Sequence, residues 1–123
     1  MHTASIVLNI AADKADEFER GFKEYELPTH HDLYARGLLV MSFLSRVEDI
    51  STEPVEGAVQ YLVVAVFHGL EGHNAHDNDP RFEAWNKKAE AYQVRGPFVF
   101  GGNTIVNVGP AAAPASTQRQ TPK

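Results

Sequence analysis

At 123 residues the chain is long enough for one hydrophobic core and one domain. Its 43% hydrophobic and 22% charged residues are globular proportions, and the formal charge of −5 argues against nucleic-acid binding through a broad basic surface. The absence of cysteine excludes disulfides, thiolate metal sites and thiol nucleophiles, and no apolar run approaches the roughly 20 residues that span a bilayer.

The N-terminus has no basic region ahead of its short apolar run, so it does not read as a signal peptide, and a cytosolic protein is expected. Ala4 to Ile10 alternates, with Ile6, Leu8 and Ile10 on one face, and predicts the first strand. From Ala11 to Tyr25 the period becomes helical, with Ala15, Phe18, Phe22 and Tyr25 along one side and Asp13 as the expected N-cap. Pro28 is expected to interrupt this helix. Thr29 and Asp32 then resemble a second helix start, a short continuation ending at Gly37. Leu38 to Glu48 reads as a strand, Asp49 to Gly57 as a turn, and Ala58 to His68 as the most β-like run in the chain. A polar loop carrying His73, His76, Asp77, Asn78 and Asp79 follows. Pro80 then opens a helix, capped by Asp79 or Asn78, whose apolar side carries Phe82, Trp85, Ala89 and Tyr92. Gly96-Pro97 is expected to break the chain before a last strand from Phe98 to Val108, with a bulge at Gly101-Gly102. The domain is thus expected to cover residues 1–109. Residues 110–123, rich in Pro, Ala, Ser and Thr, are expected to form a disordered tail.

The order βαββαβ predicts an α+β, ferredoxin-like fold: a four-stranded antiparallel sheet with two helices on one face. Strands two and three are apolar on both sides, so the face without helices calls for cover. A homodimer packed through that face is expected.

Several residues invite a chemical role. His76 suits a general base or acid, since an imidazole titrates near neutrality; the competing role is a hydrogen bond to the loop backbone. His30 and His31 are adjacent, so on a helix they point about 100° apart and cannot both face one pocket. Either they form a solvated helix end or one of them lines the cleft between helix and sheet. His68 ends a strand, where burial with a satisfied hydrogen bond competes with a place in the site. Phe22, Phe67, Trp85 and Tyr92, with Tyr61 as a further ligand contact, either line an aromatic cavity or form the core. Arg95 is a candidate partner for a carboxylate or enolate. The spacing of His73, His76 and Asp77 matches no strong metal signature, and no phosphate-binding glycine loop is present, so neither metal nor cofactor is expected.

Phe67, Glu71, His76, Pro80 and Phe82 place an aromatic at the end of strand three, an acid four residues on, a His nine on, and then a Pro and an aromatic opening the second helix. In this pattern the chain resembles the antibiotic-biosynthesis-monooxygenase-like (ABM-like) group of dimeric α+β barrel proteins. The chain departs from the group at Phe67, where Trp is frequent, at Arg81, where a second His often stands, and in its long segment from Glu26 to Gly37. The resemblance implies a cofactor-independent monooxygenase in which a base deprotonates a phenol or hydroquinone and the carbanion reacts with dioxygen. His76 would be the base, Arg95 an oxyanion partner, and Phe67, Trp85 and Tyr92 the walls around a small aromatic or polyketide-like substrate. A cyclase, dehydratase or isomerase using the same proton transfers is the alternative chemistry. A ligand-binding or haem-binding dimer is the non-catalytic one.

Overall fold

Four strands form one antiparallel sheet in the order β2-β3-β1-β4: β1 (His2–Ala11), β2 (Leu39–Arg46), β3 (Ala58–Phe67) and β4 (Gln93–Asn103). The computed structural model describes residues 1–109, and the predicted tail lies outside them. Together with the helices between β1 and β2 and between β3 and β4, this is the expected ferredoxin-like arrangement. Among the described residues no helix is long and apolar enough to cross a membrane.

The alternation of β1 sets the two faces. Ile10 turns inward and is fully buried with Phe18, Phe22, Tyr61, Trp85 and Ala89. A second cluster gathers Ala4, Leu33, Leu39, Ala65 and Phe67. In the paired registers Ser5 faces Val64, and Val64 faces Phe43; Met41 lies opposite Val66. These residues share the face that carries no helix, where Met41 and Phe43 are exposed.

Between β1 and β2 the helical run is continuous, contrary to the break expected at Pro28. It passes from α1 (Ala15–Gly21) through a π-helical turn (Phe22–Glu26) into α2 (Leu27–Ala35). A wider turn bonds the Leu27 N–H to the Phe22 carbonyl and makes room for the proline ring, which in a regular helix would strike the carbonyl four residues back. Asp13 is not an N-cap: it sits in a short 3-10 turn (Ala12–Lys14), and α1 begins without a side-chain cap. The end of α2 is as predicted. Gly37 takes φ +74, the Leu38 N–H bonds the Leu33 carbonyl, and the Gly37 N–H bonds that of Tyr34; this is the Schellman closure.

The loop expected after β3 is instead a helix, α3 (Leu70–Asp77), followed by α4 (Pro80–Glu90). Gly72 allows α3 to sit on the sheet: a Cβ there would stand 2.5 Å from the Leu38 carbonyl oxygen. Asp79 caps α4 as expected, accepting from the Arg81 N–H at 2.8 Å. Tyr92 lies beyond the end of α4 rather than on its face.

β4 starts five residues earlier than predicted and runs through Gly96-Pro97. Proline is tolerated because β4 is an edge strand and because the register shifts there, between the Asn9–Arg95 and Val7–Phe98 pairs. The Asn9 amide donates to the Gly96 carbonyl at 3.1 Å across that bulge and accepts from Gln60 at 2.9 Å. Gly101 and Gly102, where the bulge was expected, pair regularly with Ala4 and Thr3.

Candidate active site

A cavity of about 690 Å³ lies between the helices and the sheet, within the size range of small-molecule sites. Ile6, Leu8 and Val63 form its floor, and Phe22, Trp85 and Ala89 its helical side. One end is polar, and there Glu26, His30 and His76 meet.

Glu26 ends the π turn, and His30 follows four residues later on the same helical face. The two are buried, and His76 reaches them from α3 with 12% of its side chain exposed. Both imidazole Nε2 atoms lie 2.7 Å from one carboxylate oxygen, Glu26 Oε2. The outer nitrogens are held as well: His30 Nδ1 lies 2.8 Å from Ser42 Oγ, and His76 Nδ1 lies 2.9 Å from Asp77 Oδ1. Ser42 reaches inward because it pairs with Ala65, a cavity-facing residue of β3. The Phe82 ring lies 4.3 Å from that of His76, centre to centre. The other oxygen, Glu26 Oε1, is buried and has no hydrogen-bond partner.

The electrostatics follow from this geometry. Burial opposes ionisation of Glu26, but the hydrogen bonds from His30 and His76 outweigh it, and the carboxyl is held below its ordinary range. Burial also works against a charged His76, and the bonds to Glu26 and Asp77 reverse that, so its imidazole is held above its ordinary value. With a carboxylate beside each nitrogen, His76 is a stronger base than a free imidazole.

The structure gathers some predicted site residues and scatters others. Phe22, Phe67, His30, His76 and Trp85 line the cavity, and Arg95 stands at its exposed rim with its guanidinium 5.1 Å from the centre of the Phe98 ring. His31 and His68 are exposed and do not line it; His68 is not the buried strand end that was expected. Tyr61 is buried in the core, where its hydroxyl donates to Glu19, and Tyr92 packs against the same cluster. Burial, then the Glu19 carboxylate, pushes the Tyr61 phenol well up. His73 stacks on Phe67 and touches His2 and Asp77. Sequence reasoning missed Glu26 and Ser42. The signal for Glu26 was its place four residues before His30, hidden by treating Pro28 as a break.

The chain matches no family model and no curated protein, yet solved structures match its fold. A Nitrosomonas europaea protein described as an antibiotic biosynthesis monooxygenase superposes with a TM-score of 0.68 at 9% identity, over 86% of this chain and 100% of its own. SnoaB, a cofactor-independent oxygenase from Streptomyces nogalater, gives 0.63 at 14% identity over 87% and 96%. HapK from Hahella chejuensis gives 0.64 at 16% identity over 89% and 97%. At these identities the likeness is one of fold. The chain carries the ferredoxin-like α+β fold seen in ABM-type proteins.

Proposed function

We propose that the protein is an oxygenase for a small aromatic or polyketide-like phenol, working without an organic cofactor. The observation that carries this reading is the cavity: apolar along its walls and closed at one end by a buried carboxylate between two imidazoles. A flat ring would lie between Trp85 and Phe22 above and Ile6 and Val63 below, with its hydroxyl turned to the cluster. Glu26 Oε1, which has no partner, accepts the hydrogen bond of the phenol, and the proton passes to His76, whose basicity Glu26 and Asp77 raise. The base role expected of His76 alone thereby passes to the Glu26–His76 pair. The resulting carbanion reacts with dioxygen. Where a CH₂ becomes a carbonyl, the second oxygen atom leaves as water, and no external reductant is consumed. The fold likeness to SnoaB supports this reading.

Turnover of a bicyclic or tricyclic hydroquinone, followed in air and under nitrogen, tests it. Product is expected in air only, with a loss of roughly 10²- to 10⁴-fold in Glu26→Gln and in His76→Ala. Product without oxygen would instead assign a cyclase or isomerase using the same proton transfer. Unchanged turnover in both variants would remove the cluster from the chemistry.

We also propose that the protein works as a homodimer. The helix-free face of the sheet carries Met41, Phe43, Leu62, Val64 and Val66, an apolar surface with no cover in the single chain. A second copy packed on it leaves the helix side, and the cavity, free.

A further inference from the structure

The three side chains at the polar end of the cavity also form a metal-ligand set. We propose that Glu26, His30 and His76 bind one divalent transition-metal ion of the zinc, iron(II) or cobalt(II) type. Two imidazoles and a carboxylate converging on one point suit such ions and leave further coordination positions open. One ligand atom from each residue lies within 4.8 Å of the others, and both carboxylate–imidazole separations are 2.7 Å. With metal–ligand bonds near 2.1 Å, neighbouring ligand atoms stand about 3.0 Å apart in octahedral and about 3.4 Å in tetrahedral geometry, so each carboxylate–imidazole contact needs to open by roughly 0.3–0.7 Å.

The surroundings support the ligand role. Each ligating nitrogen is Nε2, and each remaining Nδ1 is held by a fixed partner, Asp77 for His76 and Ser42 for His30. Such outer hydrogen bonds orient ligating histidines and raise their basicity. Glu26 Oε1 is orphaned on a side chain only 4% exposed. A buried carboxylate oxygen without a partner is costly, and coordination by both oxygens of Glu26 would relieve it. The neighbouring trio of His2, His73 and Asp77 does not converge in this way. The two nitrogens of His73 point to different partners, His2 at 2.9 Å and Asp77 at 3.1 Å. The open positions of a bound ion would face the cavity, where a phenolic oxygen is a fitting further ligand. This inference goes beyond the function proposed above, and metal binding is measured with no substrate present, so either can fail alone.

Full-length protein stripped of metal by a chelator is titrated with Co²⁺, read by calorimetry and by visible ligand-field absorption. One Co²⁺ per chain is expected. Asp77→Asn should weaken binding by roughly 10- to 100-fold, and His30→Ala and Glu26→Gln should abolish it, while His73→Ala leaves it unchanged. Glu26→Gln preserves size and a hydrogen-bonding oxygen, so circular dichroism can show that the loss is not unfolding. Absence of saturable binding by the wild type overturns the proposal. So does binding that survives both Glu26→Gln and His30→Ala, or binding lost in His73→Ala alone.

Discussion

Asp79 joins two elements through one short side chain. It caps α4 at the Arg81 N–H, and the Arg81 guanidinium bridges it to Asp32 on α2. The Arg81 hydrogen bond holds the Asp79 carboxyl at about 2, below its ordinary 3.8. A carboxyl with a lowered folded pKa contributes stability above its unfolded value, and that stability disappears as pH falls through the folded one. Asp79→Asn keeps a capping oxygen and removes only the charge. Its deficit in urea midpoint against the wild type should be full at neutral pH, shrink below pH 3.8 and vanish below about 2. Asp79→Ala, which removes the cap too, should cost about 1 kcal/mol at neutral pH. This cap was legible because an acid followed by proline is a local signal. Glu26 was not, because its meaning depends on a continuous helix toward His30 and on a third residue, His76, brought up from fifty positions away in the chain.

The placement of α3 rests on a glycine. A Cβ at Gly72 would meet the Leu38 carbonyl at 2.5 Å and Phe67 side-chain carbons at 3.1 and 3.2 Å. Backbone cannot yield as a flexible side chain does, so Gly72→Ala is expected to cost about 1–3 kcal/mol and to push His76 away from Glu26. Gly96→Ala, with nothing within 4 Å, is the neutral control. Denaturant unfolding of the two variants checks this, and an equal midpoint for both would show that α3 is free to move. The strands of the centre were legible at this scale, since β1 and β3 combine alternation with valine and aromatic content. The failures came at proline and glycine. In the sequence Pro28 reads as a stop, but the π turn absorbs it. Gly96-Pro97 also reads as a stop, but an edge strand with a bulge tolerates both. The polar, glycine-containing composition of α3 hid a helix whose register depends on close packing against β3.

Among the described residues, apolar surface is exposed on the helix-free sheet face, at Met41 and Phe43, and in the segment after β4, where Ile105 and Val108 are almost fully exposed. Phe43→Glu, a charge set on the β2 side of the helix-free sheet face, is expected to turn a dimer into a monomer in sedimentation equilibrium while the cavity survives. A wild type that sediments as a monomer at micromolar concentration would refute the dimer. The two-faced apolar pattern of the second and third strands was readable in the sequence; which residues share a face came only with the cross-strand register. The cavity, for its part, takes one side from β4, through Arg95 and Val99. That strand is zipped to a neighbour along a single margin and pinned midway by Asn9. Breathing concentrates at such a seam. The amides of β4 are therefore expected to exchange with solvent faster than those of β1 and β3 in hydrogen-exchange measurements.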